Sequence, residues 1–388
     1  MNIVISFLVA FITTWVIYGR VLRFARRFNV LDTPDARKVQ KSPVPVLGGV
    51  AVFIGIAVAM VVLYFVMPEN GMIESLTLVM AVMLAVGTFD DIKDISPTAR
   101  FIIEILVVLF LMYWSGIRIC NFYGLWGYGA VLSAWIYVPL TIVSAVGIMN
   151  AINLIDGVDG YSSGFCTMAS IMFGIMFYMM GNQLMTVVAA AAAGALIPFF
   201  MHNVFGFKSK MFIGDGGTLL MGAIMSIFVL TLLSQREASL AMSQKNVGLV
   251  PFALAVLSIP VFDTLRVMLG RIIKGKSPFR PDKTHLHHLY LELGFSHVGI
   301  SVGLVTLDAL IVAAWFLSYK MGATISMQLV VVVALAFLST FVFYPFVRYH
   351  KKRNSVVYRI LLAIGEASHY ERKGFWAWMR NMVDAGDK

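Results

Sequence analysis

Charge is what this chain has least of. Only 13% of its 388 residues are Asp, Glu, Lys or Arg, while 60% are hydrophobic. A soluble globular chain runs near half apolar and about a quarter charged. That shortage excludes disorder, and with it coiled coil and collagen. Cysteine is scarce too. Cys120 falls in a loop and Cys166 in an apolar run, 46 positions apart, with no metal-ligand spacing, so both read as inert. A small disulfide scaffold is excluded. Also missing is any repeat of broken, polar mid-membrane helices, the mark of a pore or transporter.

What is present is apolar sequence in runs of about 20 residues, the length of a bilayer-spanning helix. Mean hydropathy is +0.85. The fold class expected is all-α, a polytopic membrane protein with about 11 spans: 2–22, 47–67, 74–89, 98–115, 131–149, 160–180, 184–201, 218–234, 248–268, 297–318 and 326–346. The first run has no basic segment before it and no small-residue cleavage site, and Arg20, Arg23, Arg26 and Arg27 follow it. It reads as an uncleaved span.

The linkers alternate between two kinds. One kind carries only Arg118, Arg236, Lys245 and Lys320; the other 26 of the 30 cations lie on the second kind or at its span ends. By the positive-inside rule the second side is cytoplasmic, with the N-terminus outside and the C-terminus inside. The net charge of +10 is therefore an orientation signal and not one for nucleic acid. Residues 1–346 read as the membrane domain with cytoplasmic loops. Residues 347–388 read as a basic, aromatic tail whose helix lies on anionic lipid, with docking to a partner as the alternative.

The motif residues sit on the cytoplasmic side. Asp90, Asp91 and Asp94 end the third span, and Ser96-Pro97 caps the next. Adjacent carboxylates repel, so a site holding them ionised needs a cation. Mg²⁺, which takes a few carboxylates plus phosphate oxygens and water, suits that need. Asn150, Asn153, Asp156 and Asp159 follow the fifth span; the last three are spaced for one helical face, and Gly157 and Gly160 let backbone approach a ligand. Gly214-Asp215-Gly216-Gly217 opens the eighth span. Its glycines offer backbone N–H groups to an anion, and Asp215 there reads as a Mg²⁺ ligand, with helix capping as the alternative. Asn203 lies within reach of the same pocket.

The loop 269–296 holds Lys274, Lys276, Arg280 and Lys283, then His285, His287 and His288. The cations suit phosphates, Arg280 bidentately. The three His are too cramped for zinc and suit hydrogen bonds to phosphate or sugar. Gly270 to Ser277 matches a P-loop pattern, but it follows a span and not a strand. In the first loop Arg37, Lys38 and Lys41 suit a lipid phosphate at the interface, or serve only as positive-inside charges. Asp263 and Arg266 are spaced to pair, and Glu104 and Asp308 are charges inside spans. Asp308 has no account at the level of sequence.

Carboxylates, amides, cations and His at one membrane surface point to metal-assisted transfer of a phosphate-bearing group. A membrane prenyltransferase using D-D-x-x-D with Mg²⁺ is the alternative enzyme, and a lipid-linked substrate transporter the alternative class.

Four motifs in order carry a resemblance: Asp90-Asp91-x-x-Asp94, Asn153-x-x-Asp156-Gly-x-Asp159-Gly, Gly214-Asp215, and S-P-F-R-P-D-x-x-H-L-H-H. Together they resemble the polyprenyl-phosphate N-acetylhexosamine-1-phosphate transferase family, in its GlcNAc-1-phosphate (WecA-like) branch, over nearly the whole chain. Gln40 and Leu47 depart from the His and Arg common in the family's first loop. The resemblance implies transfer of a sugar-1-phosphate from a UDP-N-acetylhexosamine to a polyprenyl (undecaprenyl) phosphate at the bacterial inner membrane, releasing UMP and starting surface-glycan synthesis. It implies Mg²⁺ (or Mn²⁺) on Asp215, with Asp90 and Asp91 near the metal or acceptor. Asp156, Asp159, Asn150, Asn153 and Asn203 would line the nucleotide pocket; Gly214, Arg280, Lys283, His285, His287 and His288 would meet the diphosphate or sugar. Direct attack by the lipid phosphate, with Asp90 or Asp91 taking its proton, stands against a covalent Asp intermediate. A homodimer is left open.

Overall fold

The computed structural model describes residues 2–33, 42–66, 71–234, 237–278, 282–369 and 373–385. The apolar runs form helices: α1 (Asn2–Arg27), α2 (Gly48–Val66), α3 (Met72–Lys93), α4 (Pro97–Trp114), α5 (Ala134–Leu154), α6 (Tyr161–Met179), α7 (Gln183–Phe205) and α8 (Gly214–Leu232). A short α9 (Glu237–Gln244) leads to α10 (Leu249–Val256) and α11 (Ser258–Ile273). Then come α12 (Leu286–Glu292), α13 (His297–Lys320), α14 (Ile325–Phe337), a π-helical turn (Leu338–Val342), α15 (Phe343–Lys352), α16 (Val356–Ala367) and α17 (Phe375–Ala385). Ten described helices are long and apolar enough to cross a membrane, and eleven if the bent pair α10–α11 counts as one. The protein is a nearly all-α, multi-pass membrane protein, as its sequence predicts.

The centre of the bundle is α8, buried along almost its whole length among α3, α5, α2 and α6. Glycines allow the closest approaches. A Cβ on Gly87 of α3 would lie 2.3 Å from the Asp215 carbonyl, and one on Gly49 of α2 would lie 2.3 Å from Gly217. At the rim α1 packs against the alanine-rich α7, where small side chains let backbones close. The outer faces of α1, α4 and α13 keep large apolar side chains exposed, such as Leu8, Ile102 and Leu310, as lipid contact requires.

The ninth span is broken. Sequence reading has it continuous over 248–268, but α10 and α11 meet at 76°. Pro260 sits in the first turn of α11, where it leaves no unmet donor. The freed end is capped from another helix: Asp308 of α13 accepts from Ser258 Oγ at 2.7 Å and from the Ile259 backbone N–H at 2.9 Å. That is the role of the charge in α13.

Two short strands, β1 (Leu31–Asp32) and β2 (Val44–Pro45), pair antiparallel. The chain after β2 continues this ladder onto the segment before α8: Phe212 N–H donates to Pro45, Gly48 N–H to Phe212 and Gly49 N–H to Ile213. The glycine pair opening α2 is thus seated on the α8 entrance. The P-loop-like stretch straddles the end of α11 and the turn after it, with no strand before it.

Candidate active site

At the end of the bundle where α3, α5 and α7 finish and α6 and α8 begin, a cavity of about 610 Å³ opens. Asp90, Asp91, Asp94, Asn153, Asp156, Asp159, Asn203, Gly214, Asp215 and His288 all line it. Residues from four separated motifs meet there: three helix ends converge on the α8 N-terminus, and the histidine loop adds His288.

Asp91 takes the position that the sequence offers to a phosphate. Its Oδ1 accepts from the Asp215 N–H at 3.0 Å and its Oδ2 from the Gly216 N–H at 3.2 Å. A carboxylate at a helix N-terminus meets both the orphan donors and the positive dipole end. Those two amides therefore bind a side chain of α3 and not an incoming anion. Gly214, with φ at +72°, makes the turn that aims them and still borders the cavity.

Asp90 is held differently. Its Oδ1 accepts from the Ile95 N–H at 2.7 Å, and its Oδ2 faces Arg100 Nη1 at 3.2 Å. Arg100 also reaches Asn150 Oδ1 at 3.4 Å, and the Asn150 amide donates to the fully buried Glu104 at 2.7 Å. Asn150 stands behind Asp90, outside the cavity, so its expected place in the nucleotide pocket is not where the fold puts it. Its surroundings explain the charge within span 4: Glu104 anchors Arg100, one turn away at 3.6 Å.

The Asn153 amide donates to Asp215 Oδ1 and to Thr218 Oγ1, both at 2.8 Å, and fixes the orientation of Asp215. Asn203 uses both ends of its amide inside the protein, accepting from Gly160 N–H at 2.8 Å and donating to Met211 O at 3.0 Å. It staples the 156–160 loop to the segment entering α8.

Asp156 opens onto the cavity and accepts from Ser162 Oγ at 2.5 Å. The protein mass around it, and then Asp215 and Asp159, push its pKa up to about 7 against the pull of Ser162; cavity water tempers that push. Asp159 is shifted the other way. Burial alone would raise it, but His297 Nδ1 at 2.9 Å and Lys210 Nζ at 2.6 Å hold it below the usual carboxylate value. Both partners bind the same oxygen, Oδ2.

The histidine loop divides. His285 donates from Nδ1 to Asp263 Oδ2 at 3.0 Å, and the Leu286 N–H reaches the same oxygen at 3.2 Å. Arg266 pairs with the other oxygen of Asp263 at 2.6 Å, as its spacing predicts, and ties Thr284 O. His287 is packed against Gly157, where a Cβ would lie 2.3 Å from its Nε2. Gly157 therefore makes room for the His287 ring, and its backbone also borders the cavity. Burial and the flanking imidazoles lower the His287 pKa to about 3, so its ring is neutral. Only His288 of the three borders the cavity; its pKa is lowered by burial, His285 and Lys283. Lys283 is exposed on the loop, away from the cavity lining. Arg37, Lys38, Lys41 and Arg280 lie outside the described residues.

Lys210, His297, Arg100 and Ser162 contact the cavity carboxylates and are not singled out by the sequence. Lys210 lies five residues before Asp215, beside Lys208, and His297 follows a Ser N-cap at the start of α13; neither belongs to a motif.

The carboxylates facing the cavity outnumber its two imidazoles, and no thiol lines it, which suits Mg²⁺ or Mn²⁺ better than a thiolate-seeking metal. Among the described residues no group of three or more His, Cys, Asp or Glu could hold a metal by itself. A cation here needs oxygens from a ligand or water to complete its shell, which fits Mg²⁺ with a diphosphate.

Residues 73–233 match the model of the family described as glycosyl transferase family 4. The chain is 30% identical to an undecaprenyl-phosphate alpha-N-acetylglucosaminyl 1-phosphate transferase of Yersinia pestis, over 75% of this chain and 77% of that one. It is 29% identical to the protein of that name in Escherichia coli K12, over 78% and 80%. It is 28% identical to a probable undecaprenyl-phosphate N-acetylglucosaminyl 1-phosphate transferase of Bacillus subtilis, over 90% and 97%. With its motifs converging on one cavity at the α8 entrance, the chain belongs to glycosyl transferase family 4, in the branch of the polyprenyl-phosphate N-acetylhexosamine-1-phosphate transferases.

Proposed function

We propose that the protein transfers N-acetylhexosamine-1-phosphate, GlcNAc-1-phosphate by default, from a UDP-sugar to a polyprenyl phosphate on the cytoplasmic side of the inner membrane. The names of its relatives support the reaction, and the 26-to-4 division of cations supports the side. The observation that carries the reading is a junction. Beside the polar cavity lies an apolar groove of about 480 Å³ between α5 and the bent pair α10–α11, lined by residues such as Val143, Leu254 and Leu265. Asn150 borders the groove and Asp90 the cavity, and Arg100 bridges the two. A lipid phosphate with its chain in the groove would bring its head to Arg100, and the UDP-sugar would fill the cavity from the Asp156 and Asp159 side.

In this reading the acceptor oxygen attacks the β-phosphorus, the bond to the bridging oxygen breaks, and UMP leaves. Arg100 orients the acceptor phosphate. A phosphate monoester with a second pKa near 6 is already mostly dianionic at neutral pH, so a strong base is not required. Asp90, itself fixed by the Ile95 amide, holds the Arg100 guanidinium in place for the acceptor phosphate, and Asp91 holds the α8 entrance. Asp215, oriented by Asn153, would hold Mg²⁺ together with substrate oxygens; when bound, the ion neutralises charge developing on the diphosphate.

The test is purified protein, polyprenyl phosphate and a panel of UDP-sugars, with UMP release as the readout. UMP should appear with a UDP-N-acetylhexosamine only when the lipid phosphate is present. No release with any of them would overturn the proposal. Exchange of labelled UMP into UDP-sugar without acceptor would replace direct attack by a covalent route.

A further inference from the structure

The C-terminal segment touches both loops that deliver cations to Asp159. From one side, Asp384 of α17 gathers the turn after α7. Its Oδ1 accepts from the backbone N–H groups of Phe207 at 3.2 Å, Lys208 at 3.1 Å and Ser209 at 2.9 Å, and from Ser209 Oγ at 2.8 Å. The carbonyl of Ser209 is held from below by the Tyr18 hydroxyl of α1 at 2.9 Å. The next residue is Lys210, whose ammonium meets Asp159. From the other side, Ser368 beyond α16 accepts the Ser296 N–H at 2.8 Å, and its carbonyl accepts from Ser296 Oγ at 2.9 Å. His369 reaches the Gly294 carbonyl at 2.9 Å. The residue after Ser296 is His297, whose imidazole meets the same oxygen of Asp159.

The packing agrees. Gly365 lies so close to the chain before α13 that a Cβ would stand 2.0 Å from the Leu293 carbonyl. α17 buries Trp376, Met379 and Val383, and the Trp376 ring lies 4.5 Å from that of Phe205 at the end of α7. Its other face leaves Phe375 and Trp378 exposed. A second cavity, of about 540 Å³, is bordered by Asp159, Lys210 and His297 on one side and by Ser368, His369 and Trp376 on the other. The Asp159 triad is thus the wall between the main cavity and the tail.

We propose that the C-terminal segment is a clamp on the donor-nucleotide side of the active site, and that Asp384 is a positioning residue acting through Lys210 on Asp159. Four donors on one carboxylate oxygen fix the turn in one conformation, and an ammonium one residue beyond it inherits that placement. With Lys210 and His297 both on Oδ2, the Asp159 carboxylate is held in one orientation at the cavity wall. The proposal rests on the reading of Asp159 as a residue that meets the UDP-sugar.

The test uses the full chain in detergent with steady-state kinetics for both substrates. Asp384→Ala should raise KM for the UDP-sugar by about tenfold, the scale of a lost charged hydrogen-bond set, while kcat and KM for the polyprenyl phosphate move less than about twofold. Asp384→Asn keeps the accepting oxygen and should show a smaller rise; it serves if the alanine variant does not fold. In a Lys210→Gln background Asp384→Ala should add less than about twofold, because the two act in series. An unchanged KM for the UDP-sugar in Asp384→Ala, or effects that multiply in the double variant, would overturn the clamp. An unchanged KM in Asp159→Asn would instead overturn the reading of Asp159.

Discussion

Asp91 separates two roles that a carboxylate at this site can have. As a metal ligand it matters only when the cation is present. As the cap of α8 it matters in every state. The structure shows both of its oxygens on backbone N–H groups of α8, at 3.0 and 3.2 Å. Asp91→Asn keeps the shape and replaces one acceptor by an NH₂ group that faces an N–H. One helix donor is then left without a partner at the entrance of the most buried helix. An unmet buried donor costs about 1–3 kcal/mol, and losing an N-cap acceptor about 1 kcal/mol. Removing a like charge beside Asp215 returns part of that. The net expected is a loss of about 1–2 kcal/mol, which is a fall of about 1–3 °C in Tm for a chain of this size. The assay is thermal unfolding in detergent with EDTA and again with Mg²⁺. The fall should be the same in both. An unchanged Tm in EDTA, together with activity restored by raising Mg²⁺, would refute the capping argument and leave Asp91 a metal ligand alone.

Asp215→Asn should lower turnover at least about a hundredfold while the protein still folds, since the amide oxygen can keep the Asn153 bond; near-normal activity in purified variant removes Asp215 from the metal site. Gly157→Ala should displace His287, because the new Cβ falls 2.3 Å from its Nε2, and both activity and Tm should drop; a silent substitution would mean the His loop is not seated on this turn. Asp156 sets a pH dependence. Its folded pKa of about 7 exceeds the unfolded 3.8, so the folded form binds more protons between those values and stability falls as pH rises through that window. In Asp156→Asn that part of the slope should vanish from a Tm series run from about pH 4 to about pH 7; an identical slope places the titration elsewhere.

The membrane fold was legible because its signal is local. A run of about 20 apolar residues has few alternatives to a spanning helix. The cavity was legible for a related reason. In a chain with so few charges, Asp90, Asp91, Asp94, Asp156, Asp159 and Asp215 stand out against an apolar background, and all six line it. What the residues do there was less legible. Asp91, Asn153 and Asn203 spend their hydrogen bonds on other parts of the protein, across separations of 124, 62 and 43 residues. A motif announces that a polar side chain is needed, and not whether its partner is a ligand or a helix end.

The histidines make the same point in reverse. H-L-H-H reads as three equivalent donors, yet a helix begins at Leu286 and rotates them apart, so His285 turns to Asp263, His287 to Gly157 and His288 alone to the cavity. Asp308 is the clearest case of information that sequence order hides. It lies 50 residues from Ser258, inside an unbroken apolar pattern, and nothing near it explains a charge. The explanation is the break itself. A helix that ends inside the membrane exposes donors that lipid cannot satisfy, so a bend at Leu257 requires a polar group at that depth. The bent pair lines the apolar groove beside α5. Asp308 therefore acts on the groove at one remove: it does not line the groove itself, but it accepts the donors that the break frees and so holds the bend between α10 and α11.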